Sequence, residues 1–212
     1  GMAMHHPAYL ARLREVCDRH DVHLIADEIA VGFGRTGTMF ACEQAAARVA
    51  DIADFICLSK GITGGYLPLS AVLTRDEIYA AFYDDRTARG FLHSHSYTGN
   101  PLACRAALAV LDIFAQDDVI ARNRTKSARF TEMLAELRGH PRVRHFRQAG
   151  MIWAFDVADA APGFAADFHR RALDLGVFIR PIGNTVYFMP PYCIGEAEMT
   201  QLNEVTLTLL DT

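Results

Sequence analysis

Lysine is almost absent from this 212-residue chain: Lys60 and Lys126 are the only two, so chemistry that needs a side-chain amine rests on one of them. Cysteine is also scarce. The five thiols (Cys17, Cys42, Cys57, Cys104, Cys193) are odd in number, well separated and contain no C-x-x-C. That fits reduced, mostly buried thiols of a cytoplasmic protein better than a disulfide scaffold or zinc framework. No apolar run reaches the roughly 20 residues that span a bilayer, and the N-terminus has no signal-peptide pattern, so a soluble chain with no membrane partner is expected. The formal net charge is only −4 and basic residues are scattered, which leaves no field for a polyanion such as nucleic acid. The local group Arg142-Val143-Arg144-His145-Phe146-Arg147 reads as the solvated face of a strand rather than a basic patch. Repeats and low-complexity tracts are missing as well. What remains is half apolar, enough for a sizeable core in one or two domains.

Hydrophobic periodicity organises the chain as α/β. Pro7 to Asp21 predicts an amphipathic helix with Leu10, Leu13, Val16 and Cys17 on one face and Arg12, Arg14, Glu15, Asp18 and Arg19 elsewhere. Strands are expected at His23–Glu28, at Asp54–Lys60 and at Leu69–Thr74, with a short helix starting at Arg75. Asn100 with Pro101 reads as N-cap and N1 of a helix to about Phe114. A second helix is predicted from Val119 to Arg138, ended by Gly139. After His140-Pro141 the pattern alternates: a strand at Met151–Val157, a helix at Phe164–Leu175, a strand at Val177–Arg180, a tight turn at Gly183-Asn184, a strand at Thr185–Met189 and a helix at Glu196–Leu210. The expected domains are 1–139, part of a larger domain, and 140–212, a small α+β domain.

Two of the predicted strands end in chemically opposite groups. His23-Leu24-Ile25-Ala26-Asp27 ends in an acid and Phe55-Ile56-Cys57-Leu58-Ser59-Lys60 in an amine. Both runs are apolar almost throughout, as in a parallel sheet covered on both faces. Ligands of open α/β sheets bind beyond the carboxyl ends of such strands. An acid and an amine on one rim suit pyridoxal 5'-phosphate (PLP): a carboxylate keeps the pyridine nitrogen protonated, and a lysine bonds the aldehyde and later carries the proton. The plain alternative is a loop-capping aspartate and a surface lysine.

Three segments bear on that choice. Asp27-Glu28-Ile29-Ala30-Val31-Gly32-Phe33-Gly34-Arg35-Thr36-Gly37 is similar to the signature loop of class III aminotransferases, a fold-type I PLP family. Ser59-Lys60-Gly61-Ile62-Thr63-Gly64-Gly65-Tyr66 resembles that family's cofactor-lysine segment, and Ser96-Tyr97-Thr98-Gly99-Asn100-Pro101 the segment opening the long helix after it. They occur in the family's order. The resemblance implies a large domain with a mostly parallel sheet and helices on both faces, followed by a small C-terminal domain. It also implies ping-pong transamination of small molecules by a homodimer with shared active sites. Lys60 and Asp27 become catalytic and cofactor-binding, and His95 and Ser96 contact the cofactor, Ser96 through the phosphate of the neighbouring subunit. Arg35 has two readings, substrate positioning and pinning of the glycine loop. His93-Ser94-His95 lacks the further ligands a metal site needs, and no metal is expected.

The segment Gly176 to Tyr192 carries Arg180-Pro181-Ile182-Gly183-Asn184 and Tyr187-Phe188-Met189-Pro190-Pro191-Tyr192. An arginine at a strand end can grip a carboxylate through two parallel hydrogen bonds. The segment resembles the branch of the family that aminates an oxononanoate ketone, with S-adenosylmethionine as amino donor, in biotin biosynthesis. That resemblance makes Arg180 the ligand of the ketone's carboxylate and adds Tyr187, Ser94 and Lys60 to the substrate contacts; Tyr187 reads equally as a packed core tyrosine. Other readings are an ω-amino-acid or acetylornithine-type enzyme, and a non-catalytic remnant that only pairs with a homologous subunit. Family members carry, upstream of the matching part, a Gly-Ser turn for the phosphate and an aromatic residue that stacks on the ring. Neither has a counterpart here, and Gly1 to Pro7 resembles interior family sequence, so a piece of a longer protein is expected.

Overall fold

Pro7 sits in the first turn of helix α1 (Pro7–Arg19), where its missing N–H costs nothing, and the His6 imidazole accepts the Ala8 amide at 3.2 Å. The computed structural model describes residues 2–46, 48–94 and 96–212. It divides the chain into two compact units: His5–Ile120, and Ala121–Thr212 together with the residues up to Met4.

In the first unit, β1 (Ile25–Asp27) pairs parallel with β2 (Phe55–Leu58), and β2 pairs antiparallel with β3 (Ala71–Thr74). Asp27 and Cys57 are register partners, so both strands end at the same rim. Helices α2 (Asp76–Ala80) and α3 (Pro101–Gln116) follow, and the Asn100 side chain caps α3 by accepting the amides of Leu102 and Ala103. The pattern of β1 predicted cover on both faces; Ile25 is instead 61% exposed, and Val72 of β3 equally so. An apolar run reports that a strand forms, whereas its cover must come from other segments, and this chain does not supply it for β1 and β3.

Arg14 departs from its expected place on the polar side of α1. It is buried, because positions 10, 14 and 17 share one helical face, and it donates to Asp54 at 2.7 Å. Asp54 also accepts the Leu24 amide at 2.7 Å and lies 3.2 Å from Arg75. One buried carboxylate thereby ties α1 and the segments that enter β1 and leave β3. Burial alone would raise the Asp54 carboxyl; the Leu24 amide, Arg14 and Arg75 outweigh it and hold it below the usual carboxylate range. Its stabilising contribution is therefore complete above the unfolded-state value of about 4 and is lost as pH falls through the lower folded value. Asp54→Asn is expected to cost the complete protein about 3 kcal/mol, as for a buried pair broken on one side. It should also flatten the acid limb in urea unfolding followed from pH 7 to pH 3. An unchanged acid limb would mean that other carboxylates govern it.

The second unit is built on an antiparallel sheet of β4 (Val143–Ala149), β5 (Ile152–Val157) and β6 (Thr185–Phe188), in that order. Helices α4 (Val119–Met133), α5 (Ala135–Gly139), α6 (Phe164–Asp174) and α7 (Glu196–Leu210) complete it. The predicted helix from Val119 to Arg138 is thus two helices, separated at the fully buried Leu134. Phe130, Leu134 and Leu137 fill the same core as Trp153, Phe155 and Phe188. That shared core is why the compact units divide between Ile120 and Ala121, earlier than the His140-Pro141 punctuation suggested. The basic group is not one patch: Arg142 donates to the Leu210 carbonyl at 2.7 Å and Arg147 pairs with Asp156 at 3.1 Å.

Val177–Arg180 is a further departure, since it forms no strand. Burial alternates, with Val177 and Ile179 inside and Phe178 and Arg180 outside, which is the pattern that predicted one. The Val177 amide instead caps α6 on the Ala172 carbonyl at 2.9 Å, and the segment that follows has no ladder neighbour among the described residues. The Gly183-Asn184 turn is present: Ile182 and Thr185 exchange backbone hydrogen bonds of 2.9 and 3.0 Å across it. All five cysteines are free, but only Cys17 and Cys42 are buried, fewer than expected. No helix is long and apolar enough to cross a membrane among the described residues.

Candidate active site

Asp27 ends β1 and is exposed, its Oδ1 accepting the Ile29 amide at 3.0 Å. Lys60 lies three residues beyond Cys57, the register partner of Asp27, so parallel pairing carries the acid and the amine to one rim. Lys60 begins a 3-10 turn, Lys60–Thr63, and its φ of +45° is rare for a residue with a Cβ. Such strain persists only where the surroundings impose it, and it concentrates at functional sites. Ser59 Oγ donates to the Leu69 carbonyl at 2.9 Å and Thr63 Oγ1 to the Leu67 carbonyl at 2.5 Å, which fastens the turn on both sides. The Lys60 amine is exposed with no ion pair or hydrogen bond among the described residues. Lys126 differs: it donates to the carbonyls of Tyr192 at 2.7 Å and Ile194 at 3.0 Å. Of the two amines, only Lys60 is available for chemistry.

Phe33 wedges the glycine loop against the lysine turn. It also has a positive φ, +54°, and is 4% exposed. A Cβ on Gly61 would come within 2.8 Å of the Phe33 Cβ, so the residue after Lys60 has to be glycine for the two segments to touch. The Phe33 ring packs edge-on against Phe40 and against Phe114 of α3.

Glu28 is the main residue that the sequence reading missed. It is 2% exposed, and its carboxylate accepts the amides of Ala41 at 2.9 Å and Cys42 at 2.8 Å, while its own amide donates to the Cys57 carbonyl at 3.0 Å. Glu28 therefore closes the loop that starts at Asp27. Its one sequence signal was an acid pair before a glycine-rich stretch, and the partners lie 13 and 14 residues on. Burial pushes the Cys42 thiol up to about 12, with the Glu28 charge adding to it, so this thiol stays protonated and inert. Arg35 is half-buried in the same loop.

Ser94 and Ser96 are exposed in the stretch before α3. His95 lies outside the described residues. Within the second unit, Arg180 and Tyr187 line one cleft of about 480 Å³ whose remaining wall is apolar, including Phe178, Met189, Pro191 and Leu202. Arg180 is exposed, and no carboxylate pairs with it among the described residues. Tyr187 is half-buried at the cleft rather than enclosed in the core. The two residues are thus brought together.

The family model described as "Aminotransferase class-III" matches residues 1–208. The chain belongs to the class III aminotransferase family. Among relatives of this family, an adenosylmethionine-8-amino-7-oxononanoate aminotransferase of Helicobacter pylori is 42% identical, over 100% of this chain and 49% of its own length. The crystal structure of an enzyme of the same name from Methanocaldococcus jannaschii superposes with a TM-score of 0.85 at 34% identity, covering 96% of this chain and 49% of that one. A PLP-bound amine transaminase from an uncultivated Pseudomonas species gives 0.82 at 34% identity, over 97% and 48%. These neighbours place the chain in the fold-type I aminotransferase fold. The chain spans about half the length of the relatives it matches.

Proposed function

We propose that the complete protein is a PLP-dependent aminotransferase that converts 8-amino-7-oxononanoate to 7,8-diaminononanoate, with S-adenosylmethionine as amino donor, in biotin synthesis. The observation that carries the reading is an exposed Lys60, unpaired among the described residues, on a strained turn at the same rim as Asp27. The donor set suits the cofactor: a carboxylate for the pyridine nitrogen, and one lysine amine not consumed by structure. PLP, when bound, supplies a conjugated ring that takes up negative charge from the substrate carbon. Asp27 would hold a proton at the pyridine nitrogen, and the Lys60 amine would hold the cofactor through its aldehyde and, when free, carry a proton to and from the substrate carbon. Ser96 serves the phosphate of a second copy in a homodimer.

Substrate choice is assigned to the second unit. A guanidinium without a carboxylate partner, on an apolar cleft, suits an acid at the end of an aliphatic chain. Relatives that match the whole of this segment carry the oxononanoate name, which supports the same choice. A second reading, an amine transaminase, is favoured by the likeness to the Pseudomonas enzyme.

Single-turnover reactions of the complete protein, followed by cofactor absorbance, separate the two. The expected result is amination of 8-amino-7-oxononanoate at least about tenfold faster, in kcat/KM, than of pyruvate, the margin one well-placed ionic contact supplies. Faster reaction with pyruvate would move the assignment to the amine transaminases.

A further inference from the structure

The residue before Arg180 is held by a side chain that the proposed chemistry does not use. His169, on α6, brings Nδ1 to 2.7 Å from the Ile179 carbonyl. A carbonyl only accepts, so Nδ1 carries the proton and donates. The same ring stands edge-on to Phe178, with centroids 5.1 Å apart and planes at 82°. His169 therefore touches both residues immediately before Arg180 in a segment that lacks a strand ladder. Ile179 is 2% exposed, and its carbonyl has no other hydrogen-bond partner among the described residues. Without the imidazole, the carbonyl is left unsatisfied or the segment shifts to find water. Phe178 and Arg180 both line the cleft, so a shift there moves the recognition edge itself.

We infer that His169 is a positioning residue for substrate specificity: it replaces the missing ladder and fixes Arg180 and Phe178 for an aliphatic carboxylate. The inference rests on the proposed reading of Arg180 as the carboxylate ligand. The experiment compares His169→Phe, which keeps a ring against Phe178 but no donor, with His169→Asn, whose amide nitrogen can stand where Nδ1 stood. Both are made in the complete protein, alone and combined with Arg180→Ala. In His169→Phe, KM for 8-amino-7-oxononanoate is expected to rise about tenfold while kcat changes less than about twofold, the loss from one displaced ionic contact. The donor half-reaction should change no more than it does in Arg180→Ala, and His169→Asn should recover most of the loss. In the Arg180→Ala background, His169→Phe should add nothing, because the two residues act through one contact.

A donor half-reaction loss larger than Arg180→Ala itself causes, or a full tenfold loss that persists without Arg180, would overturn the inference and make His169 a packing residue. If Arg180→Ala alone leaves KM unchanged, the carboxylate reading itself fails, whatever His169 does. The same measurements keep the two failures apart.

Discussion

Borohydride reduction of the complete, PLP-loaded protein is expected to fix the pyridoxyl group on Lys60 and leave Lys126 unlabelled in a peptide map. The expectation follows from how differently the two amines are held. Lys126 spends its protons on two backbone carbonyls, at 2.7 and 3.0 Å, and its release would break both bonds. Lys60 has no such partner among the described residues, and its backbone is held strained at the rim where β1 and β2 end. Lys60→Ala should then lower turnover by about 10³- to 10⁴-fold, since the amine that would carry the proton is removed. Asp27→Asn should retain cofactor and lose on the order of 10²- to 10⁴-fold, because a neutral amide cannot hold the proton on the pyridine nitrogen. Label on Lys126 would remove Lys60 from the chemistry. Near wild-type turnover in Asp27→Asn would do the same for Asp27.

Much of this arrangement was legible in the sequence where the information is local. Pro7, the Asn100-Pro101 pair and the Gly183-Asn184 turn act within a few residues, and each shapes the backbone as its chemistry dictates. The placement of Asp27 and Lys60 on one rim needed only that β1 and β2 run parallel. What failed depends on partners distant in sequence. Alternating burial at Val177–Arg180 has the period of a strand, yet a strand also needs a neighbour, and none pairs with it among the described residues. Arg14 was assigned to the solvent side because it is charged; its partner Asp54 lies 40 residues away. Glu28 and His169 escaped notice for the same reason, each defined by backbone groups at a remove of ten residues or more. Local chemistry tells which residues could act; the long-range bonds tell which are held in place to do so.

Arg180→Ala is expected to weaken the oxononanoate half-reaction of the complete protein by about 2–5 kcal/mol in kcat/KM, the cost of losing one partner of a desolvated charge pair. No carboxylate neutralises Arg180 among the described residues, so its charge is free for an incoming one. The apolar lining of the cleft lowers the local dielectric and strengthens that contact. Arg180→Lys should rescue only part of the loss, since a point charge cannot reproduce two parallel hydrogen bonds. The donor half-reaction should suffer less, provided the donor does not seat its own carboxylate on the same arginine. Stability should hardly change, because removing an unpaired, exposed guanidinium leaves no buried group orphaned. Measuring each half-reaction separately by cofactor absorbance decides among the outcomes. Equal losses in both would make Arg180 a shared carboxylate site. No loss in either would return it to the surface and transfer the case to the amine transaminase reading, in which the apolar cleft binds an uncharged chain.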